Sequence, residues 1–320
     1  MDAVVYAEAV TLTEYQKGLE EGSLERTMVE TFTKTSDLLA AFPIRPAVNG
    51  KYKYQRIANL PSVAFRALNE LGNESTGKMT LDEEGIFYMD EYIKVDRALV
   101  DTLGPMHRAK QTEMKSIAMS QEISRTLVNG DNSDDPREFD GLKKRCTVLN
   151  TNLFHNSGSS GGAALSLSNL DIINRAVNGI THWLFPYNLM AYMDAAARNP
   201  SLLNHSVQTG YDVEMGKVVT KYQGKPILYG YEPDDSPLLL DFDEVASGGG
   251  SAVTSSIYGL ALRGDRCFMI EGTPLTVRDE GQLQGEPFLS THAKWDLGMV
   301  CEHPRSVARL TSVTKAAIVA

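Results

Sequence analysis

Cysteine is scarce in this sequence: Cys146, Cys267 and Cys301 are the three in 320 residues. They lie far apart and show none of the paired spacings of a zinc site, so they read as reduced, partly buried thiols. Long apolar runs are missing too. No stretch of about twenty apolar residues occurs, which excludes a membrane-spanning helix. The first residues carry an early acid and no basic-then-apolar order, so they do not read as a secretory signal. Work in the compartment of synthesis, or in something assembled there, is the expectation. Positive charge is short as well, with 31 Lys and Arg against 41 Asp and Glu and a net charge of -10. Lys143, Lys144 and Arg145 form the one short basic run. A protein whose main task is gripping a nucleic-acid backbone needs a concentrated cationic surface, and the charge balance argues against that class. With 42% hydrophobic and 22% charged residues, the composition is that of an ordinary globular chain with enough length for one large domain or two of ordinary size.

Signatures of chemistry are equally thin. The six histidines include no pair four residues apart, so no helical metal-ligand pattern is present. Gly158 to Gly162 matches the G-x-S-x-G expression with Ser160 as nucleophile. A nucleophile elbow needs a strand immediately before and a helix immediately after, and loop-like residues follow Gly162 instead. His182, His205, His292 and His303 are all available as a base and spacing selects none. A mobile glycine-serine surface loop is the plainer reading. Glu83 and Glu84 are adjacent on a strand and point to opposite faces, which suits a solvated edge better than an acid-base pair. Gly248 to Gly250 lack the lysine of a phosphate-binding loop. The acidic stretch from Asp131 to Asp140 bears comparison with a calcium loop. Asp131, Ser133 and Asp135 suit its first, third and fifth positions, but Pro136 stands where glycine is needed and Leu142 where the bidentate glutamate is needed. A solvated acidic turn is expected, with no catalytic, cofactor or metal residue, and the chain is not expected to be an enzyme.

Along the chain the texture changes in order. Two short helical patterns occupy residues 10 to 45, with Leu12, Tyr15 and Leu19 in the first and Leu24, Met28, Val29 and Phe32 in the second. Helices this short are marginal alone, so the region reads as an arm in need of a partner surface. Strand-like alternation runs from Lys51 to Val95, and the Gly-, Asn- and Ser-rich turn from Leu71 to Lys78 suits the tip of a long hairpin. Leu99, Leu103, Met106, Met114 and Ile117 recur at helical spacing. Gly104 and Pro105 should interrupt this pattern and leave a main helix from Pro105 to Asn129, with Asn129-Gly130 as its C-terminal cap. Beyond it, Ser168 and Asp171 resemble a capping box, Tyr187 onward reads as a strand passing into a helix ended by Pro200, and Gln223-Gly224 reads as a two-strand hairpin turn. Residues 165 to 275 suggest a compact α+β unit.

The order of these parts, with "LPSVAFRALNE" before the hairpin tip, "DDPREFDGLKKR" after the main helix, "TSSIYGLALRGDRCFMIEG" and "VCEHPRSVARL", resembles the major capsid proteins of tailed bacteriophages. The resemblance implies an α+β fold of the Hong Kong phage type. In that fold residues 1–45 would be an N-terminal arm, 46–95 an extended β-hairpin loop, and 96–150 a peripheral domain with a strut helix. Residues 151–285 would be an axial domain, and 286–320 a strand segment returning to the peripheral domain. It implies an icosahedral head shell of hexamers and pentamers around packaged double-stranded DNA, assembled in the host cytoplasm with no membrane. The partners it implies are further copies of the chain, a separate scaffolding protein (the chain is too short before the arm to carry its own), a portal protein and, in some members, a decoration protein. Assembly and turn roles fall on Phe65 and Arg66 of the first motif and on Phe139, Asp140, Gly141 and Leu142 of the second. Phe139 and Leu142 would pack the turn, with Gly141 allowing the bend through a backbone region that β-branched residues avoid. The competing readings are a bacterial nanocompartment shell of the same fold and a serine hydrolase using Ser160.

Overall fold

The computed structural model describes residues 9–47, 49–198, 207–212, 217–230, 238–282 and 285–319. A two-residue strand β1 (Val10–Thr11) leads into helices α1 (Leu12–Lys17), α2 (Leu24–Thr35) and α3 (Asp37–Ala41). Strands β2 (Pro43–Pro46), β3 (Lys51–Asn59), β4 (Lys78–Gly85) and β5 (Phe87–Asp96) precede helices α4 (Arg97–Leu103), α5 (Pro105–Asn129) and α6 (Leu142–Arg145). Next come β6 (Leu153–His155), α7 (Leu167–Ala176), β7 (His182–Leu184), α8 (Met190–Ala197), β8 (Val207–Asp212), β9 (Lys217–Tyr222) and β10 (Lys225–Leu228). The chain ends with β11 (Glu244–Val245), β12 (Ala252–Leu260), β13 (Cys267–Glu271), β14 (Thr276–Gln282), β15 (Phe288–Cys301) and β16 (Val307–Thr314).

Two mixed sheets and a separate hairpin make this an α+β fold. The first sheet runs β1-β2-β13-β15-β14, with β5 also paired along β15. The second runs β6-β16-β12-β7-β10-β9-β8, with β11 against β12. Strands β3 and β4 form a two-stranded ribbon of their own. The largest apolar core lies on the first sheet, covered by α1, α2, α3 and α5. A second core packs α7 and α8 on the second sheet around Trp183 and Phe185.

Helix α5 has the bounds its sequence suggests. Gly104 takes φ 88, which an L side chain resists, and Pro105 sits in the first turn where its missing N–H costs nothing. The buried face of α5 differs from the expected one. Leu99 and Leu103 of α4 and Met106 and Met114 of α5 are exposed, and the face of α5 turned inward carries Ser116, Met119, Ser120, Ile123, Ser124 and Leu127. Small serines let the α2–α3 junction come close, and Ser36 Oγ meets Ser124 Oγ at 2.8 Å.

The N-terminal helices correct a second expectation. Leu12, Met28, Val29, Phe32, Leu38, Leu39 and Phe42 are all buried in the main core. Phe32 stacks on Trp295 with ring centroids 5.8 Å apart. Ser23 caps α2 and Ser36 caps α3. From Leu12 to Pro46 the chain is therefore not an arm awaiting a neighbour, because its apolar stripe is already covered by α5 and the first sheet. Further boundaries move for the same kind of reason. Strand β5, expected within the protruding hairpin, pairs with β15 from Phe288↔Asp96 to Leu297↔Phe87 and so belongs to the body. Strands β13 and β14, expected in the second unit, lie in the first sheet, and of the C-terminal strands β15 joins the first sheet while β16 joins the second.

Smaller differences are local. Helix α7 begins at Leu167, and Asp171 accepts from Tyr222 Oη and Gln223 Nε2 instead of closing a capping box. Tyr187–Leu189 is a 3-10 turn leading into α8, not a strand. The expected helix stop at Pro200 lies outside the described residues, as does His205. The turn between β9 and β10 is as expected: Gln223 (φ 48) and Gly224 (φ 76) join strands paired Tyr222↔Lys225.

Candidate assembly surfaces

The β3–β4 ribbon projects from the body with apolar residues uncovered. Its strands pair from Lys51↔Gly85 to Asn59↔Lys78. Ile57, Met79 and Leu81 are exposed on it. Between the strands, residues 60–77 form an irregular tip where Leu60, Val63, Phe65, Leu68 and Leu71 are all exposed, Phe65 completely. Polar contacts shape the tip: Arg66 Nη1 donates to Glu70 O at 2.8 Å, Ala67 N–H to Glu70 Oε2 at 2.9 Å, and Asn73 Nδ2 to Ser62 Oγ at 2.9 Å. Five large apolar side chains in one short exposed run are the kind of patch that marks an interaction surface.

The base of the ribbon is fixed to the body at two places. Tyr54 and Tyr52 pack with Phe268, Ile270 and Val300, and Tyr52 Oη donates to Glu302 Oε1 at 2.8 Å. On the facing strand, Glu84 takes a two-pronged hydrogen bond from Arg145, at 2.7 and 3.1 Å. Arg145 also donates to Met299 O at 2.9 Å and, through Nε, to Asp140 O at 3.0 Å. Burial works against the Arg145 charge, and the Glu84 carboxylate outweighs it, so the guanidinium is held above its ordinary range. Glu84 is thus not a solvated edge residue, whereas Glu83 on the opposite face is exposed and paired with Lys51 at 2.7 Å.

Phe139, Asp140, Gly141 and Leu142 meet in the turn that ends at Arg145. Phe139 is buried against Phe87, with centroids 6.1 Å apart, and Leu142 is fully buried. Asp140 Oδ1 accepts from Asn132 N–H at 3.0 Å. Gly141 has an ordinary extended φ of -81, so a special backbone region is not what it supplies. A Cβ there would stand 2.7 Å from Thr126 O and 2.8 Å from the Gly130 nitrogen. Gly130 likewise lacks the left-handed conformation of the expected cap. Phe65 and Arg66 are not brought to this cluster. Neither the pairing of Arg145 with Glu84 nor the anchoring role of Tyr52 is apparent from the sequence. The available signal was the period of two, which puts Tyr52, Tyr54 and the cross-strand Glu84 on one face.

The acidic residues of the turn are engaged by cations of the chain. Asp131 accepts from Lys144 Nζ at 2.8 Å, and Arg137 grips Asp135 at 2.8 and 2.9 Å, holding its carboxyl down to about 2. Among the described residues no group of three or more His, Cys, Asp or Glu side chains is arranged to hold a metal ion. Ser160 lies in a turn well before α7, where Ser160 Oγ donates to Gly249 O at 3.3 Å. Gly161 N–H donates to the same oxygen at 2.8 Å and Ser247 Oγ to Ser157 O at 2.9 Å, so the two glycine-serine loops are tied together, not free as expected. Among the described residues no helix is long and apolar enough to cross a membrane.

An α+β subunit with a projecting apolar ribbon suits a self-assembling, capsid-like shell protein, and the comparisons with known proteins support that class with the Hong Kong phage-type fold. Residues 20–186, more than half of the chain, match the family of the major capsid protein GP7, and the chain belongs to that family. No curated protein matches it. Among solved structures it is similar to the encapsulin of Synechococcus elongatus PCC 7942, seen in a holo-SrpI complex, at 14% identity with a TM-score of 0.62. That likeness covers 96% of this chain and 97% of the other. It is also similar to a structure of Mycobacterium phage Bobi (13%, TM-score 0.59, 90% and 91% covered) and to one of Mycobacterium phage Cain (13%, TM-score 0.57, 95% and 98% covered). At such identities these likenesses describe the fold.

Proposed function

We propose that the chain is the major capsid protein of a tailed bacteriophage, building the icosahedral head that encloses a double-stranded DNA genome. The observation that carries this reading is the match of residues 20–186 to the major capsid protein GP7 family. In this reading the β3–β4 ribbon and its tip are the extended loop, α5 is the strut of a peripheral domain built on the first sheet, and the second sheet with α7 and α8 is the axial domain. At ~1.5 Å per residue the 25 residues of α5 span about 37 Å, the width of a small domain. The exposed apolar run from Leu60 to Leu71 is covered by neighbouring copies within hexamers and pentamers. Ribbon stability thereby becomes coupled to assembly, since an isolated two-stranded ribbon is marginal. The acidic balance suits a container for DNA that must not hold the polymer tightly. A scaffolding protein and a portal protein are the further partners. The chain acts in the virion after assembly in the host cytoplasm, and not as an enzyme.

The likeness in fold to an encapsulin supports a second reading, a nanocompartment shell. Negative-stain imaging of the purified chain, alone and with a candidate scaffolding protein, separates the two. Closed particles of head size that form only with scaffold support the capsid reading, and uniform small shells formed by the chain alone around an enzyme cargo support the other. A protein that stays monomeric under every condition refutes both. A stoichiometric burst with an activated ester, lost in Ser160→Ala, would replace them with a hydrolase.

A further inference from the structure

Cys267 opens β13 and Cys301 closes β15, and the antiparallel register places them directly opposite each other. Cys267 N–H donates to Ala261 O at 3.3 Å, and the ladder bond beyond the pair runs from Glu302 N–H to Arg266 O at 2.9 Å. The two cysteines thus occupy a non-hydrogen-bonded site of the ladder. Such sites bring Cα atoms to about 4.5 Å, within the roughly 4.4 to 6.8 Å that a disulfide spans. The two Sγ atoms are 3.1 Å apart and both thiols are free.

The two sulfurs are not equivalent. Both residues are buried, Cys267 completely and Cys301 with 8% of the residue exposed, so their surroundings, not their exposure, tell the sulfurs apart. The hydrogen bond from Cys267, helped by the Arg145 guanidinium, holds the Cys301 thiol below the ordinary thiol range despite its burial. The thiolate is the reactive form. Cys146, the third thiol, is buried after α6, and that burial pushes its thiol far up.

We propose that Cys267 and Cys301 are a redox-modification site, a dithiol that a peroxide converts into a cross-strand disulfide within one chain. The Cys301 thiolate attacks one peroxide oxygen. A sulfur–oxygen bond forms, the oxygen–oxygen bond breaks, and hydroxide leaves to be protonated to water. The Cys267 sulfur then attacks the Cys301 sulfur of the resulting sulfenic acid. A sulfur–sulfur bond forms, the sulfur–oxygen bond breaks, and the departing hydroxide takes the Cys267 proton as a second water. Two thiols lose two electrons in all, and one peroxide gains them. The product closes a loop holding β14 and ties β13 covalently to β15, the strand on which β5 is paired. The subunit is built in a reducing interior and stapled on meeting an oxidising exterior, whichever kind of shell it forms.

The test is to treat the full-length chain, purified under reductant and then freed of it, with hydrogen peroxide, and to follow intact mass, disulfide-mapped peptides and melting temperature. The expected result is the loss of two hydrogen atoms and a linked peptide pair containing Cys267 and Cys301. Melting should rise by several degrees, with dithiothreitol reversing every change. Cys301→Ser should abolish the linkage, and Cys267→Ser should stop at a sulfenic acid trapped by dimedone. Should either variant fail to fold, mapping of the unaltered chain decides. Cys301 advancing to sulfinic acid beside a free Cys267, a linkage through Cys146, an unchanged mass, or equal melting of the two forms would each overturn the proposal.

Discussion

The backbone N–H of Gly141 donates to the carbonyl of Gly130 at 2.8 Å, closing the acidic turn across its neck. The two chain segments come so close that a Cβ on Gly130 would meet Phe139 O at 2.4 Å and Thr126 O at 2.5 Å. Neither glycine has a positive φ. Space, not backbone conformation, therefore fixes their identity, and alanine should be nearly as harmful as valine. Gly141→Ala is expected to cost about 1 to 3 kcal/mol by chemical denaturation, the usual range for forcing atoms into a packed site. A neutral Gly141→Ala beside a damaging Gly141→Val would return the explanation to backbone conformation.

Phe139 lies at the far side of the same neck. Phe139→Ala should lower stability by about 3 to 5 kcal/mol, as for removal of a buried aromatic ring. Asp131→Asn and Asp135→Asn should change the melting curve little, because exposed ion pairs contribute little. A calcium loop would reverse that order. Melting curves of the three variants, with and without chelator, distinguish the two, and a chelator effect that needs the aspartates would refute architecture as the role of this turn.

How much of this could be read from the residues varied with the kind of signal. The limits of α5 were legible because Gly104-Pro105 and Asn129-Gly130 are local signals, and Gln223-Gly224 announced its turn for the same reason. The buried side of α5 was not legible, since Ser116, Ser120 and Ser124 are polar by type and are buried only because another helix approaches closely. The apolar stripe of Met28, Val29 and Phe32 is plain in the sequence, but no periodicity says whether its cover comes from the same chain or another. Arg145 is the hardest case. It follows two exposed lysines in one short run, and only the fold brings Glu84 within reach.

That ion pair makes its own prediction. Arg145 and Glu84 are both mostly buried, so removing one partner leaves an unpaired charge. Arg145→Met or Glu84→Gln alone should cost about 3 to 5 kcal/mol, and the double variant should recover part of the loss. Additive losses in the denaturation cycle would mean the two residues act separately. Limited proteolysis adds a local readout, because loosening the ribbon base should speed cleavage on β4.

The ribbon tip offers a test tied to assembly. Residues 60–77 carry an exposed apolar run and few links to the body, so a protease should cut there first in the free subunit. Once neighbouring copies cover the run, cleavage should fall steeply. Phe65→Ser should leave the melting of the free subunit unchanged, since its ring touches nothing to lose, while reducing assembly yield. Equal cleavage rates before and after assembly would remove the tip from the contacts between subunits.

Glu244 supplies the clearest dependence on pH. Burial works against its charge, yet Arg309 Nη2 at 2.6 Å, the Ser256 hydroxyl and Lys143 at 3.3 Å outweigh that penalty. Its carboxyl is consequently held below the ordinary 4.5. A carboxyl whose pKa is lower when folded than when unfolded adds stability above its unfolded pKa and loses it as pH falls through its folded value. The network joins Lys143 of α6 to β11, β12 and β16, so its loss loosens the link between the 130–145 turn and the second sheet. Wild type should be more stable than Glu244→Gln at neutral pH, and the gap should close as pH drops below about 4.5. Other carboxyls titrate alike in both proteins and cancel in the difference. Denaturation midpoints from pH 7 down into the acid range test this, and curves that stay parallel throughout would show that the charge of Glu244 contributes nothing to the fold.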